Sequence, residues 1–221
     1  GKCLYYIKRY DEAWMLMNQA LDIAIQIDSK KQIVACHKQL YYLCREFKRM
    51  MNERGDEQAP TLFFRESLLH EMYFSEKPRL AELTVRYEAL RCDIMQQYYM
   101  NKDYDNVIRI ATSLDFHDDT DPNASCLVYY YKAQAYVKLE NYPMAKEAFF
   151  REFELRKKYL GWEDEDTILA CQNLGVLHSF CNEREEALAC FREAYGYEVK
   201  KNGEDSEMAQ KLLQYISVVE S

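Results

Sequence analysis

Residues 175–195 read GVLHSFCNEREEALACFREAY, and residues 1–21 read GKCLYYIKRYDEAWMLMNQAL. In both, a glycine is followed twelve positions later by an alanine, Gly175 to Ala187 and Gly1 to Ala13. Two antiparallel helices joined by a tight turn bring such a pair together where their backbones approach, and a bulky side chain there would force them apart. The spacing predicts a helix-turn-helix repeat, a helical solenoid, and a chain that offers a binding surface.

Composition agrees with long helices and short loops. The 221 residues are 48% apolar and 30% charged, with only six Gly and four Pro, which leaves little turn material for a many-stranded sheet. No apolar run reaches the roughly eighteen residues that a bilayer-spanning helix needs. A net charge of −8 with scattered Lys and Arg argues against a nucleic-acid partner, which selects a basic face. The eight Cys show no CxxC spacing and fall mostly on apolar helical faces. They read as reduced thiols acting as small core residues, which predicts a cytosolic or nuclear compartment, with a cytoplasmic location the first reading.

Periodicity and stop signals predict about eleven helices. A fragment at residues 1–8 precedes Asp11–Asp28, and Ser29 is placed to cap a long helix through Met51. After the loop-like NERGDEQAP come a helix near Thr61–Phe74, a break at Lys77-Pro78 and a long helix through Met100. Tyr104–Leu114 follows, then acidic DFHDDTDPN, in which Asp121-Pro122 is a strong helix start because proline lacks the amide hydrogen that a first turn leaves unpaired. Helices near Asn123–Leu139, Tyr142–Leu160, Asp166–Cys181, Glu183–Asn202 and Ser206–Val219 complete the chain.

Four hairpins superpose on one template. The twelve-residue step recurs as Gly1/Ala13, Met95/Val107, Ala133/Ala145 and Gly175/Ala187, the Met95/Val107 pair departing most from small residues. Three positions before its second member stand Tyr10, Tyr104, Tyr142 and Arg184. Four positions after it stand Met17, Ala111, Phe149 and Phe191, and seven after it Ala20, Leu114, Glu152 and Ala194. This arrangement resembles the tetratricopeptide repeat family, with a Gly or Ala late in the first helix, a Tyr before the turn, and Ala, Phe and Ala on the second. The resemblance covers about two-thirds of the chain. For 30–74 there are two helices without the signature.

The implied fold is an all-α, right-handed superhelical solenoid of about five such hairpins, one domain over 1–221. The step of 38 residues from Val107 to Ala145 and of 42 from Ala145 to Ala187 exceeds the family's usual period of about 34. The long form is similar to kinesin light chain repeats and to bacterial regulatory arrays. Because Gly1 enters mid-helix and 217–221 stops at an equivalent point, the chain is expected to be a stretch of a longer array, with open ends that could self-associate.

The search for chemistry returns mostly structural readings. Cys171, His178 and Cys181 share one helix face, but they occupy core places of the repeat, and Cys36-His37 and Cys44 read the same way. No metal and no cofactor are expected. DDTD at Asp118–Asp121 and EDED at Glu163–Asp166 lack the alternating ligands and central Gly of a calcium loop and read as helix-start acids. With no GxSxG, phosphate loop or HExxH, and only four His, no enzyme activity is expected.

Nineteen Tyr are a large share, and Tyr5-Tyr6, Tyr41-Tyr42, Tyr98-Tyr99 and Tyr129-Tyr130-Tyr131 should each pack one ring and turn another outward. On the family template the first helices line a concave groove carrying Cys92, Gln96 and Tyr99, then Tyr130, Gln134, Val137 and Lys138, then Leu169, Asn173, Val176 and Phe180. Some members clamp a peptide's terminal carboxylate with Lys and Asn. The corresponding places here are Cys92, Gln96, Tyr130, Gln134, Gln172 and Val176, so that clamp is absent. Groove amides suit the backbone of an extended segment. The expected role is a protein- or peptide-binding scaffold or adaptor. The alternatives are a peptide-sensing regulatory domain of a bacterial regulator and a structural oligomer.

Overall fold

The computed structural model describes residues 9–56, 59–79, 87–112 and 121–221; of residues 60, 87 and 88 only the backbone is described. Among the described residues the chain is all-α, with ten helices and no strand. They are α1 Tyr10–Gln26, α2 Lys30–Glu53, α3 Ala59–Glu71, α4 Tyr87–Met100, α5 Tyr104–Thr112, α6 Pro122–Lys138, α7 Tyr142–Tyr159, α8 Glu165–Phe180, α9 Arg184–Asn202 and α10 Glu207–Glu220. Where their residues are described, the predicted helices are present to within a few residues; the fragment at 1–8 and residues 80–86 of the helix through Met100 lie outside the described residues. Gly1, Tyr5-Tyr6 and Leu114, most of the acidic run before Asp121, and part of the loop after Met51 lie outside the described residues.

The chain divides into two compact units, residues 1–100 with 112–115, and residues 101–111 with 116–221. In the first, α1 packs on α2, α2 on α3 and α3 on α4. In the second, α6 packs on α7, α7 on α8, α8 on α9 and α9 on α10. Packing by chain neighbours is the organisation of a helical solenoid. The first unit's core gathers Ala13, Leu21, Leu40, Leu43 and Phe47, with Trp14 edge-on to Phe47 at 5.7 Å. The second unit's core runs through Ala133, Ala145, Phe149, Phe153, Leu174, Ala187, Phe191 and Leu212.

Every described member of the twelve-residue step is buried: Ala13, Met95, Val107, Ala133, Ala145 and Ala187 have no exposed surface. At Gly175 a Cβ would lie 2.8 and 2.9 Å from two ring carbons of Phe191 and 3.0 Å from Cys190 Cβ. Phe191 stands four residues after Ala187, so the template's small and large positions are partners across the hairpin.

A backbone signature repeats with the same register. Lys102, Glu140 and Asn182 have φ of 60°, 59° and 60°, each five residues before Val107, Ala145 and Ala187. The amides of those three residues donate to the carbonyls of Asp103, Asn141 and Glu183 at 3.2, 3.0 and 3.0 Å. The amides of Asn141 and Glu183 also reach back to the carbonyls of Tyr136 and His178, both at 2.9 Å, closing the preceding helix with a left-handed cap residue. The turn before Val107, in the pair least similar in sequence, keeps the left-handed residue and the Val107 amide bond.

Helix starts divide by chemistry. Asp121 accepts from the Ala124 amide at 3.3 Å ahead of Pro122, Asp164 from the Asp166 amide at 3.1 Å and Ser206 from the Ala209 amide at 3.1 Å. These are the capping roles expected of the Asp121 and Glu163–Asp166 acids. Ser29 differs from expectation. It occupies the cap position of α2, but its side chain makes no capping bond.

Candidate functional site

The candidate site lies in the second unit and is built on α6 and α8, the first helices of successive hairpins. On α6, residues 133, 135 and 128 turn into the core, which leaves Gln134 and Val137 half-buried on another face. On α8, Leu174, Gly175 and Leu177 are buried while Val176 is 42% and Phe180 64% exposed. Gln134 and Val137, Asn173, Val176, Leu177 and Phe180, with Tyr142 and Phe149 from the intervening α7, line one cavity of about 230 Å³. The Tyr142 and Phe180 rings lie 5.0 Å apart. Water-facing apolar side chains here meet two amide side chains, each able to donate and accept.

Of the sequence-predicted groove residues, Gln134, Asn173 and Val176 line this cavity, as do Val137 and Phe180. Tyr130 does not; its ring lies edge-on to Tyr131 at 5.4 Å and to Phe149 at 6.5 Å, against the core. Lys138 is exposed at the end of α6, outside the lining. Gln172 is buried and so cannot face a ligand. In the first unit Gln96 is exposed and Tyr99 half-buried on α4, but Cys92 is 6% exposed and belongs to the core. The reason is helical phase. Cys92, Met95 and Tyr98 fall at steps of three and share a buried face, whereas Gln96 lies off it. Tyr142 and Phe149 hold packing places of the repeat template and also line the cavity, as does Leu177, a residue that the sequence does not single out.

The paired tyrosines divide as expected where the pair is described: Tyr41 and Tyr98 are buried, Tyr42 and Tyr99 more open. Tyr129, Tyr130 and Tyr131 are all half-buried.

Polar chemistry around the site is structural. His178 Nδ1 meets Glu183 Oε2 at 2.6 Å, and Lys146 pairs with the same carboxylate, joining α7 to the start of α9. Lys146 first, then His178, hold the Glu183 carboxyl below its usual range. Cys171 donates to the Cys190 carbonyl at 3.3 Å, and a side-chain hydrogen bond with Cys190, then burial, pushes its thiol pKa up. Cys171, His178 and Cys181 therefore pack separately, as core or pairing residues. Glu152, seven positions after Ala145, is buried beside Arg156, whose Nε donates to Oε1 at 2.9 Å. Burial outweighs that pairing and raises the Glu152 carboxyl to about 7.

The first unit has two features of its own. Tyr42, Arg45, Lys48 and Arg49 of α2, with Phe64 of α3 and Arg79, help line a cavity of about 530 Å³. Lys48 Nζ lies 4.4 Å from the Phe64 ring centre, and Arg79 pairs with Glu71 at 2.9 Å. Cations that look scattered in the sequence are thus locally gathered. Beneath the surface, Cys44 and His37 of α2 and Glu66 and His70 of α3 form a cluster in which all four residues are 2% exposed or less. His70 Nε2 is 3.6 Å from Glu66 Oε1, and His70 Nδ1 is 2.9 Å from His37 Nδ1. Tyr98 of α4 donates to Glu66 Oε2 at 2.5 Å, and His37 stacks on Tyr73 at 3.7 Å.

No protein-family model matches the chain, and no curated protein matches it. Among solved structures it is similar to BtubC (BKLC) from P. vanneervenii, with a TM-score of 0.54 and 13% sequence identity over 95% of this chain and 82% of that one. At that identity the likeness is one of fold alone, and it agrees with an all-α helical-repeat architecture. No helix among the described residues is long and apolar enough to cross a membrane.

Proposed function

We propose that this chain is a tetratricopeptide-type binding module of a cytoplasmic scaffold or adaptor, and that it holds an extended protein segment between α6 and α8. The observation that carries this reading is the convergence of Val176 and Phe180, both exposed, with the amides of Gln134 and Asn173 on one cavity. Apolar side chains of a ligand would be covered by Val137, Val176 and Phe180, while the two amides serve its backbone. The proposed module acts by binding rather than catalysis, takes no nucleic acid, and leaves any effect to what its ligand is attached to. Reduced buried thiols, among them Cys36, Cys44, Cys126 and Cys171, favour a reducing compartment.

The test is selection of a random peptide library on the full chain, followed by titration of the winners against Val176→Glu and Gln134→Ala/Asn173→Ala. A charge in the apolar cavity is expected to weaken binding at least tenfold, and loss of both amides by a similar factor. Peptides that bind all three proteins equally would remove the cavity from the function. The same titration followed by small-angle scattering distinguishes the roles. An adaptor keeps its radius of gyration on binding, whereas a peptide sensor compacts.

A further inference from the structure

We propose that Cys44, Glu66 and His70 form a zinc site inside the first unit, independent of the cavity between α6 and α8. The three residues each bring one ligand atom to within 4.8 Å of the other two, and all three are buried. Their donor set is selective. A thiolate sulfur with an imidazole nitrogen and one carboxylate oxygen suits zinc, whereas calcium and magnesium demand oxygen ligands throughout.

One of the separations already fits a metal. Two nitrogen or oxygen ligands about 2.1 Å from a tetrahedral zinc stand about 3.4 Å apart. His70 Nε2 and Glu66 Oε1 are 3.6 Å apart, so a few tenths of an ångström close the pair on a metal. Glu66 and His70 are four residues apart on α3, which sets both on one face, and Cys44 faces them from α2.

The surroundings are those that orient metal ligands. His70 Nδ1 and His37 Nδ1 share a hydrogen bond of 2.9 Å; in the tautomer in which His70 is the donor, the lone pair stands on the Nε2 that faces Glu66. The Tyr98 hydroxyl holds the other Glu66 oxygen at 2.5 Å, which turns Oε1 toward the cluster. Binding releases the Cys44 thiol proton to solvent and ties α2 to α3, with α4 attached through Tyr98. In a neutral or reducing solution the site would staple a repeat that lacks the sequence signature of its neighbours.

The experiment uses the full chain, stripped with a chelator and titrated with Co²⁺ and then Zn²⁺. One Co²⁺ per chain is expected, with tetrahedral visible bands and a thiolate-to-cobalt charge-transfer band, all displaced by Zn²⁺. Cys44→Ala should abolish the charge-transfer band and weaken binding at least tenfold; Cys171→Ala, in the second unit, should change neither. His37→Phe keeps a ring against Tyr73 but removes the nitrogen facing His70, and should weaken binding 10- to 100-fold. If Cys44→Ala does not fold, zinc X-ray absorption on the parent chain decides: one sulfur at about 2.3 Å with nitrogen and oxygen at about 2.0–2.2 Å is the expected shell. Less than one metal per chain, a charge-transfer band that survives Cys44→Ala, or a shell with no sulfur or with two overturns the site.

Discussion

Gly175 and Phe191 are a single packing decision written at two positions. A methyl group on Gly175 would sit 2.8 Å from a ring that is 1% exposed and has nowhere to swing. Alanine would favour the helix by up to about 1 kcal/mol, but overpacking a well-filled core costs about 1–3 kcal/mol. Gly175→Ala is therefore expected to lower stability in urea by about 1–2 kcal/mol, and Phe191→Leu in the same chain to return part of it. Glu152 shows the opposite device, a polar group kept in the core. Its pKa is raised from 4.5 to about 7, so between those values the native chain holds a proton that the unfolded chain has lost. Stability from this group is full below about pH 4.5 and declines as pH rises to about 7, on the order of 3 kcal/mol in total at about 1.4 kcal/mol per unit. Unfolding of Glu152→Gln beside the parent from pH 4 to 8 should show that decline flattened; equal slopes would mean that Arg156 keeps Glu152 ionised throughout.

At the scale of elements, helix starts separate residues that look alike in sequence. Asp121 and Ser29 are both good capping residues, each directly before a helix. Asp121 has extended backbone angles and aims its carboxylate at the Ala124 amide. Ser29 follows Asp28, which has φ of 49°, and its amide is spent on the Ala24 carbonyl at 2.9 Å in closing α1. Asp121→Ala should cost about 1 kcal/mol in thermal or urea unfolding, while Ser29→Ala should stay within about 0.5 kcal/mol. A larger loss at Ser29 would mean that its hydroxyl caps α2 in solution. The turns at Lys102, Glu140 and Asn182 make the related point that a repeat is conserved in backbone geometry even where its side chains have drifted.

Across the whole molecule, stability should travel along the chain through neighbouring helices. In the second unit α8 packs on α7 and α9, and α9 on α10, so damage at Gly175 reaches them directly. Hydrogen exchange on Gly175→Ala should show lost protection over 165–202, weakening toward 142–159 and 207–220, with 30–53 unchanged. Uniform loss over the chain would instead show one cooperative unit. The groove test belongs to this scale too, because it asks how Gln134 and Asn173, 39 positions apart, act on one ligand.

The sequence by itself determined the helices, their turns and the contact positions of each hairpin. All of these depend on residues within about twenty positions of each other, where helical period, turn residues and the Gly175/Ala187 step speak directly. Gln134, Asn173 and Val176 line one cavity because the repeat phases their helices alike. Cys92, expected in the groove, is buried instead, since a position on a template names a helix face only to within one residue, or about 100° of rotation. Only the tertiary structure decided that Arg45, Lys48, Arg49 and Arg79 gather on one cavity, and that Cys44 and His37 meet Glu66 and His70. Those residues lie on different helices without a shared signature, and the packing of α2 against α3 is what brings them together.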